Sequence, residues 1–158
     1  MSINDRLVSA ASEGQLDVVK DLIKQGADIH YEKKEPLKFA SLNGYLDIVK
    51  YLVGLGADIR DDDNLSIISA SENGHLDVVK YLVEQGADVN AYLFYSALIG
   101  ASDYGRLDVV KYLVEHGADI HAEKDDALKY SKMKEHMKLL RIWKSLCACN
   151  ENFNYILL

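Results

Sequence analysis

Residues 73–90 read NGHLDVVKYLVEQGADVN, and three near-copies of this stretch occupy residues 13–30, 43–60 and 104–121. The glycine at the second position of each copy recurs at spacings of 30, 30 and 31 residues. A fixed period in this range indicates stacked supersecondary units, each of which buries its apolar face against the next. We therefore expect residues 1–158 to form a single repeat domain.

Each unit contains a longer predicted helix, which in the third copy is HLDVVKYLVEQ, residues 75–85. Its apolar residues recur at helical spacing but cover a wider arc than one contact face needs, which predicts neighbours on two sides. Gly86 follows the last periodic residue and suits the left-handed conformation that closes a helix. The predicted apolar stripe consists of Leu76, Val79, Leu82 and Val83, and Val78 and Tyr81 widen it.

A shorter apolar pattern precedes the inner glycine of each copy and predicts a second, shorter helix. Each of these segments holds an alanine that would let a neighbouring helix approach closely. Glu35 and Pro36 suit an N-cap and a first helical position, because proline there loses no helical hydrogen bond. Ser96 and either Asn4 or Asp5 are further N-cap candidates. The alanines are Ala10, Ala40, Ala70 and Ala101.

The order PLKFASLNGYLDIVKYLVGLGADI, residues 36–59, resembles the ankyrin repeat, a turn followed by two antiparallel helices. The resemblance covers residues 3–121 and implies an all-α ankyrin-repeat solenoid of stacked helix-turn-helix units with short connecting loops. The usual period of the family is about 33 residues, so the shorter period here implies a short projecting hairpin. The wording DVVKYLVEQGADI is also similar to the ankyrin arrays of giant DNA viruses.

The period also sets the expected unit boundaries. In a fifth, degenerate unit Ser131 takes the alanine position and Trp143 takes a core position, so we expect this unit to cap the stack. A polar and then apolar tail follows it. The predicted repeats are 3–29, 30–59, 60–89 and 90–120, the capping repeat is 121–147, and the tail is 148–158.

The formal net charge of −7 at pH 7 disfavours binding to the phosphate backbone of nucleic acids. The N-terminal residues lack a secretory leader, and no uncharged stretch is long enough to span a membrane. Cys147 and Cys149 give neither a disulfide framework nor a redox CxxC motif. We expect an intracellular protein, located in the cytoplasm and in a host cell if it is viral, that binds neither nucleic acid nor membrane.

The histidines do not indicate catalysis. A repeat position that accepts several unrelated residue types is expected to be a surface or turn position, which disfavours a catalytic or metal-binding role. The carboxylate run at residues 61–63 lacks the alternating ligands of a calcium loop and predicts a solvated loop. We therefore predict no enzyme activity, no metal and no cofactor. His30 and His121 share a position with Arg60 and Asn90, and His75 shares one with Gln15, Tyr45 and Arg106.

Binding information is expected where the copies differ, since the shared positions serve packing. The connecting loop at residues 90–96 carries Tyr92, Leu93, Phe94 and Tyr95, and exposed aromatic residues often anchor protein interfaces. We predict Tyr92, Phe94 and Tyr95 as partner-binding residues. In the alternative, Leu93 and Phe94 pack against the adjacent helices and only one tyrosine is exposed.

A second variable set precedes the inner glycines. The resemblance implies that these residues line the concave side of the stack together with the loops, and they are our second group of partner-binding candidates. In the alternative, each is a solvent-exposed helix end without a partner. The pairs are Ser12 and Glu13, Leu42 and Asn43, Glu72 and Asn73, and Asp103 and Tyr104.

Charge is uneven along the chain. Residues 122–146 carry a net charge of +3 and the remaining residues carry −10. The binding face is therefore expected to be acidic, and its partner to be a protein with a basic or apolar surface. We predict a monomeric, noncatalytic scaffold that binds a protein through its loops and concave face. The alternative is a viral adaptor whose C-terminal segment recruits a second partner such as ubiquitin-ligase machinery.

One modification is also implied by the resemblance. Asn90 in LVEQGADVN resembles the hairpin asparagine that oxygen-dependent asparaginyl hydroxylases accept in ankyrin repeats. Leu82 lies eight residues before it, and Asp88 and Val89 precede it directly. The resemblance therefore predicts that Asn90 is a hydroxylation site.

Overall fold

The computed structural model describes residues 1–31, 36–60, 64–91, 96–134 and 136–146. Within these ranges the chain forms ten α-helices and no β-strand, so the predicted all-α solenoid of stacked helix pairs is confirmed. The pairs are α1 (Ile3–Ser12) with α2 (Leu16–Lys24), α3 (Pro36–Leu42) with α4 (Leu46–Gly54), α5 (Leu65–Asn73) with α6 (Leu76–Glu84), α7 (Ala97–Asp103) with α8 (Leu107–Glu115), and α9 (Ala122–Met133) with α10 (Met137–Leu146).

The first helices of successive pairs pack on one another more closely than the second helices do. Small side chains allow this approach, because the predicted alanine of each first helix is almost fully buried. Ala40, Ala70 and Ala101 are each 0% exposed. The first-helix side is therefore the tightly packed side of the stack.

Each second helix buries a wider arc of its surface than a single apolar stripe would cover. In α6 the fully buried residues are Val78, Val79 and Leu82, whereas Leu76 and Val83 are only half-buried. The arc is centred on the Val78 and Val79 pair because α6 contacts both α4 and α8. Each buried valine or leucine contributes about 1.5–3 kcal/mol of transfer free energy, so these three residues hold the pairs together.

The first pair lies at one end of the described stack, where α2 packs against α4, whereas α6 packs against both α4 and α8. Val18 occupies the position of Val78 but is 41% exposed. Polar residues replace buried or half-buried ones at two nearby positions: Arg6 stands where Ala97 is buried, and Asp21 stands where Tyr81 is half-buried. The α1–α2 pair thus presents the polar outer face typical of a terminal repeat.

Helix α1 begins with a capping box. The Oγ atom of Ser2 accepts from the backbone N–H of Asp5 at 3.0 Å, and the Asp5 carboxylate accepts from the N–H of Ser2 at 3.1 Å. The prediction of Asn4 or Asp5 as the N-cap was wrong by two or three residues, because Ser2 is the N-cap and its Oγ accepts from the N–H of Asp5. Asn4 instead accepts from the backbone N–H of Asp28 at 2.9 Å.

Two other helix starts agree with the sequence. Ser96 is the N-cap of α7, and its Oγ accepts from the N–H of Ile99 at 3.3 Å. Pro36 is the first residue of α3, as predicted, while Glu35 lies outside the described residues. Gly86 follows α6 with φ of +90°, which confirms the expected left-handed residue there.

The last pair is fastened by a tryptophan. Trp143 is 1% exposed, and its Nε1–H donates to the Oγ of Ser131 at 3.1 Å. Ser131 in turn donates to the carbonyl of Ala127 at 2.9 Å. The indole N–H and the serine hydroxyl are both satisfied inside an apolar core. The unit boundaries, including the role of 121–147 as a capping repeat, stay a prediction.

Candidate partner-binding site

The variable residues before the inner glycines form two rows along the ends of the first helices. Residues at one repeat position form the half-buried row, and residues at the next position form the exposed row. We call the two rows together the ridge. The half-buried row is Ser12, Leu42, Glu72 and Asp103, and the exposed row is Glu13, Asn43, Asn73, Tyr104 and Lys134.

Adjacent pairs are joined at the ridge by long-range hydrogen bonds. The Nε2 atom of His75 lies 3.0 Å from the carbonyl oxygen of Leu42, and the Nε2 atom of His136 lies 2.8 Å from that of Asp103. A carbonyl can only accept, so Nε2 carries the proton in both rings. We call these side chains the clasp residues, together with Arg106 at the same repeat position.

Arg106 makes the same connection with a different side chain. Its Nε donates to the carbonyl of Glu72 at 2.8 Å, and its chain passes over Gly74. A Cβ on Gly74 would lie 2.9 Å from the Cδ of Arg106, and Gly74 has φ of +79°. The glycine therefore serves both the turn and the close approach of the clasp residue.

The sequence predicted a surface or turn position here, because several unrelated residue types occupy it. That prediction was wrong for the clasp residues, which join neighbouring helix pairs. His75 and Arg106 are half-buried and bind the preceding pair. The sequence misled because histidine and arginine differ in chemistry, yet both reach a backbone carbonyl of the preceding pair. The constant spacing from each inner glycine is the pattern that could have revealed it.

The two asparagines of the exposed row have fixed amides. The Nδ2 of Asn43 donates to the carbonyl of Phe39 at 3.0 Å, and the Nδ2 of Asn73 donates to that of Ser69 at 2.9 Å. Each amide nitrogen is thereby held against its own helix. The Oδ1 atoms remain available to a partner as hydrogen-bond acceptors.

The N-terminal end of the ridge carries an uncompensated carboxylate. The Oε1 of Glu13 accepts from the Ser9 hydroxyl at 2.7 Å, and its Oε2 accepts from the Gln15 amide at 2.8 Å. Both partners are neutral, so the charge of Glu13 is held in place but not cancelled. This end of the ridge is acidic.

Tyr104 is the most exposed aromatic side chain in the described part of the chain, at 54%. Beside it, the Oδ1 of Asp103 is buried without a hydrogen bond, and the Nζ of Lys134 lies 3.9 Å away. Lys134 is the more exposed partner of this ion pair, with 55% of its side chain exposed against 16% for Asp103. The C-terminal end of the ridge therefore presents a ring and a cation to solvent.

The aromatic loop candidates Tyr92, Phe94 and Tyr95 lie outside the described residues, as do Asp61, Asp62 and Asp63 and the C-terminal residues 147–158. Their predicted roles stay predictions. The candidates that the structure places are the ridge residues, and it brings these together along one edge of the stack.

Asn90 lies away from the ridge, in the turn after α6. Its Nδ2 donates to the carbonyl of Gly117 at 3.0 Å, and its Oδ1 accepts from the N–H of Asp119 at 2.7 Å. Arg60 holds the equivalent place in the preceding pair and donates to the carbonyl of Gly86 at 3.0 Å. Asn90 therefore joins two turns, and its predicted hydroxylation remains untested.

The second-helix side carries a feature that the sequence analysis missed. The ammonium of Lys20 lies 5.9 Å from the ring centroid of Tyr51, and that of Lys50 lies 5.7 Å from the ring of Tyr81. Lys80 repeats the contact with Tyr112 at 5.6 Å. These cation–π contacts link consecutive pairs, and the recurring Lys-Tyr dipeptide at repeat spacing is their sequence pattern.

One ionisable group on this side is perturbed. Burial raises the pKa of Tyr112 above its ordinary value of 10.0, and the charge of Glu84 raises it further. Both causes disfavour the phenolate. Tyr112 therefore acts as a neutral packing residue between α6 and α8.

The described part of the chain contains no group of three or more histidine, cysteine, aspartate or glutamate residues that could hold a metal ion. None of its helices is long and apolar enough to cross a membrane.

The family follows from sequence comparison. A family model described as ankyrin repeats (3 copies) matches residues 7–93 and 67–124. The chain belongs to the ankyrin-repeat family. Ankyrin repeats generally mediate protein–protein interactions and typically act as noncatalytic scaffolds. No curated protein matches the chain.

Proposed function

We propose that this ankyrin-repeat chain is a noncatalytic, monomeric module that binds another protein along the ridge and the adjoining loops. The observation that carries the proposal is Tyr104, a tyrosine that is 54% exposed in a row whose neighbours are fixed but not buried. Tyrosine at an exposed, well-supported position is a frequent anchor of protein interfaces.

The contrast between ridge and core supports the same proposal. The core has the same buried residue at the same position in successive pairs, as at Val49, Val79 and Val110, because neighbouring pairs must stack alike. Ridge positions change from glutamate to asparagine to tyrosine without any stacking requirement. Ridge residues that differ between pairs, held on a repeated core, can specify a partner.

The test is partner capture with two matched variants. Tyr104→Ala removes an exposed ring from the ridge, and Leu55→Ala removes a side chain of similar exposure, 46%, at the end of α4. Proteins captured from cell lysate by the wild type are identified by mass spectrometry. We expect Tyr104→Ala to lose them and Leu55→Ala to retain them.

The reverse pattern, or capture that is identical for all three proteins, would contradict binding at the ridge. The alternative is an adaptor of viral origin whose C-terminal segment recruits a second partner such as ubiquitin-ligase machinery. Capture of a protein by Tyr104→Ala that is lost when residues 147–158 are removed would support that alternative. Residues 92–95 are tested separately by the triple substitution Tyr92→Ala, Phe94→Ala and Tyr95→Ala.

A further inference from the structure

The exposed row of the ridge changes its chemistry in one direction. It begins with the carboxylate of Glu13 and continues with the fixed acceptors of Asn43 and Asn73. It then passes the ring of Tyr104 and ends on the ammonium of Lys134. The row thus has a carboxylate at its first position, fixed amide oxygens at the next two and an ammonium group at its last.

We propose that this polarity fixes the direction of an extended polypeptide segment, with its basic end over Glu13 and its acidic end over Lys134. The inference rests on the proposed function and names its ligand as a charge-polarised peptide segment. It also revises the expectation that the face is acidic apart from the aromatic loop, because the positive charge of residues 122–146 reaches the ridge through Lys134.

The clasp residues join the row from Asn43 to Lys134, and between Glu13 and Asn43 the ring of Tyr45 lies over Gly14. His75 bonds to the carbonyl of Leu42, directly before Asn43, and His136 bonds to that of Asp103, directly before Tyr104. The ends of neighbouring first helices are therefore tied to each other at the ridge itself. A single segment can contact consecutive positions without crossing a gap.

The length of the ligand follows from helix spacing. Packed helices lie about 8–10 Å apart, so the four spacings between five helices span about 32–40 Å. An extended chain rises about 3.3 Å per residue, so about 10–12 residues reach from Glu13 to Lys134. Backbone N–H groups and lysine or arginine side chains of such a segment would donate to the Oδ1 atoms of Asn43 and Asn73, whose orientation is set by one N–H of each amide bonding to Phe39 or Ser69.

The charge at each end is available to a ligand. Glu13 bonds only to the neutral side chains of Ser9 and Gln15 among its described contacts. Lys134 lies 3.9 Å from the Asp103 carboxylate, which is beyond hydrogen-bond distance, and 55% of its side chain is exposed, so its ammonium can donate to a second carboxylate. Opposite charges at the two ends disfavour a reversed segment by placing like charges together.

The experiment uses the intact protein and a synthetic peptide with a lysine block, a glycine-serine spacer and a glutamate block, which carries a nitroxide label at the lysine end. Binding is followed by NMR through the backbone amides. We expect signals of Glu13 and Asn43 to broaden and that of Lys134 to stay sharp. We also expect about tenfold tighter binding than for a peptide of alternating lysine and glutamate.

Two substitutions make the test specific. Lys134→Glu should weaken the block peptide severalfold and spread the broadening along the row. Lys111→Glu makes the same charge change on α8, where the lysine is exposed, and should leave both the affinity and the pattern unchanged.

Equal broadening at both ends, or equal affinity for the block and alternating peptides, would overturn the directional inference and leave the proposed function intact. Absence of binding by both peptides would overturn it as well. Failure of the proposed function would appear separately, as capture of the same cellular proteins by the wild type and Tyr104→Ala.

Discussion

The Oδ1 atom of Asn90 accepts a 2.7 Å hydrogen bond from the backbone N–H of Asp119, one repeat further along the chain. Its Nδ2 donates to the neighbouring carbonyl of Gly117, so one amide side chain satisfies two backbone groups of the next turn. An asparagine is suited to this task because its side chain offers both a donor and an acceptor.

Asn90→Ala is therefore expected to destabilise the protein by about 1–2 kcal/mol, because it removes both hydrogen bonds. Urea unfolding at constant pH measures the change. Asn43→Ala is the control, since the side-chain hydrogen bond described for Asn43 goes to Phe39 in the helix just before it, and its cost should stay below about 0.5 kcal/mol. Equal costs at the two positions would contradict a linking role for Asn90.

Val18 and Val78 occupy the same repeat position in different surroundings. Val78 is 0% exposed between α4 and α8, whereas Val18 is 41% exposed on the open side of α2. We expect Val78→Gln to cost more than about 2 kcal/mol, because it buries an amide among apolar side chains. Val18→Gln should change the free energy of unfolding by less than about 0.5 kcal/mol.

Thermal and urea unfolding of the two glutamine variants provide the comparison. A large loss of stability in Val18→Gln would mean that the open side of α2 is covered by something other than solvent. A small loss in Val78→Gln would contradict the packing described between the second helices.

Two glycines should respond to alanine in opposite ways. Gly54 lies in the last turn of α4, and an added Cβ would meet nothing within 4 Å, so Gly54→Ala should stabilise the helix by about 0.5–1 kcal/mol. Gly74 has φ of +79° and the Arg106 chain above it, so Gly74→Ala should destabilise. Differential scanning calorimetry should show melting temperatures that shift in opposite directions, and a shift of the same sign in both would refute this explanation.

The raised pKa of Tyr112 predicts that the free energy of unfolding falls at alkaline pH. Its pKa is raised in the folded state by burial and then by Glu84, so the folded protein holds the phenolic proton more tightly than the unfolded chain does. This contribution is fully present below the unfolded pKa of about 10 and is lost as the pH rises through the folded pKa.

Tyr112→Phe removes the titrating group and keeps a ring for Lys80. The variant should lose less stability than the wild type between pH 8 and a pH above about 10.5, as measured by urea unfolding. If both proteins lose the same amount, another group accounts for the alkaline effect.

The repeat period and the apolar positions were enough to predict the stacked helices. Stacking requires the same contacts in every pair, so the valine at the position of Val79 and the leucine at the position of Leu82 recur in four pairs. The predicted stripe differs in part from the buried residues of α6, because the wide apolar arc predicts neighbours on two sides but does not reveal that Val78 lies between them.

The clasp residues could not be recognised in the same way. His75 and Arg106 differ in shape and charge, yet each reaches a carbonyl of the preceding pair. The partner common to both is a backbone carbonyl oxygen, and the amino-acid sequence does not reveal which carbonyl a side chain reaches. The orientation of the Asn43 and Asn73 amides was hidden for the same reason, since both donate to main-chain carbonyls.

The most direct test of binding along the ridge is hydrogen–deuterium exchange of the protein alone and in complex with its captured partner. The proposal predicts slower exchange at the ends of the first helices, at Asn43, Asn73 and Tyr104, and unchanged exchange around Leu55 in the second-helix turns. Protection confined to the second helices, with the ridge exchanging as in the free protein, would contradict it.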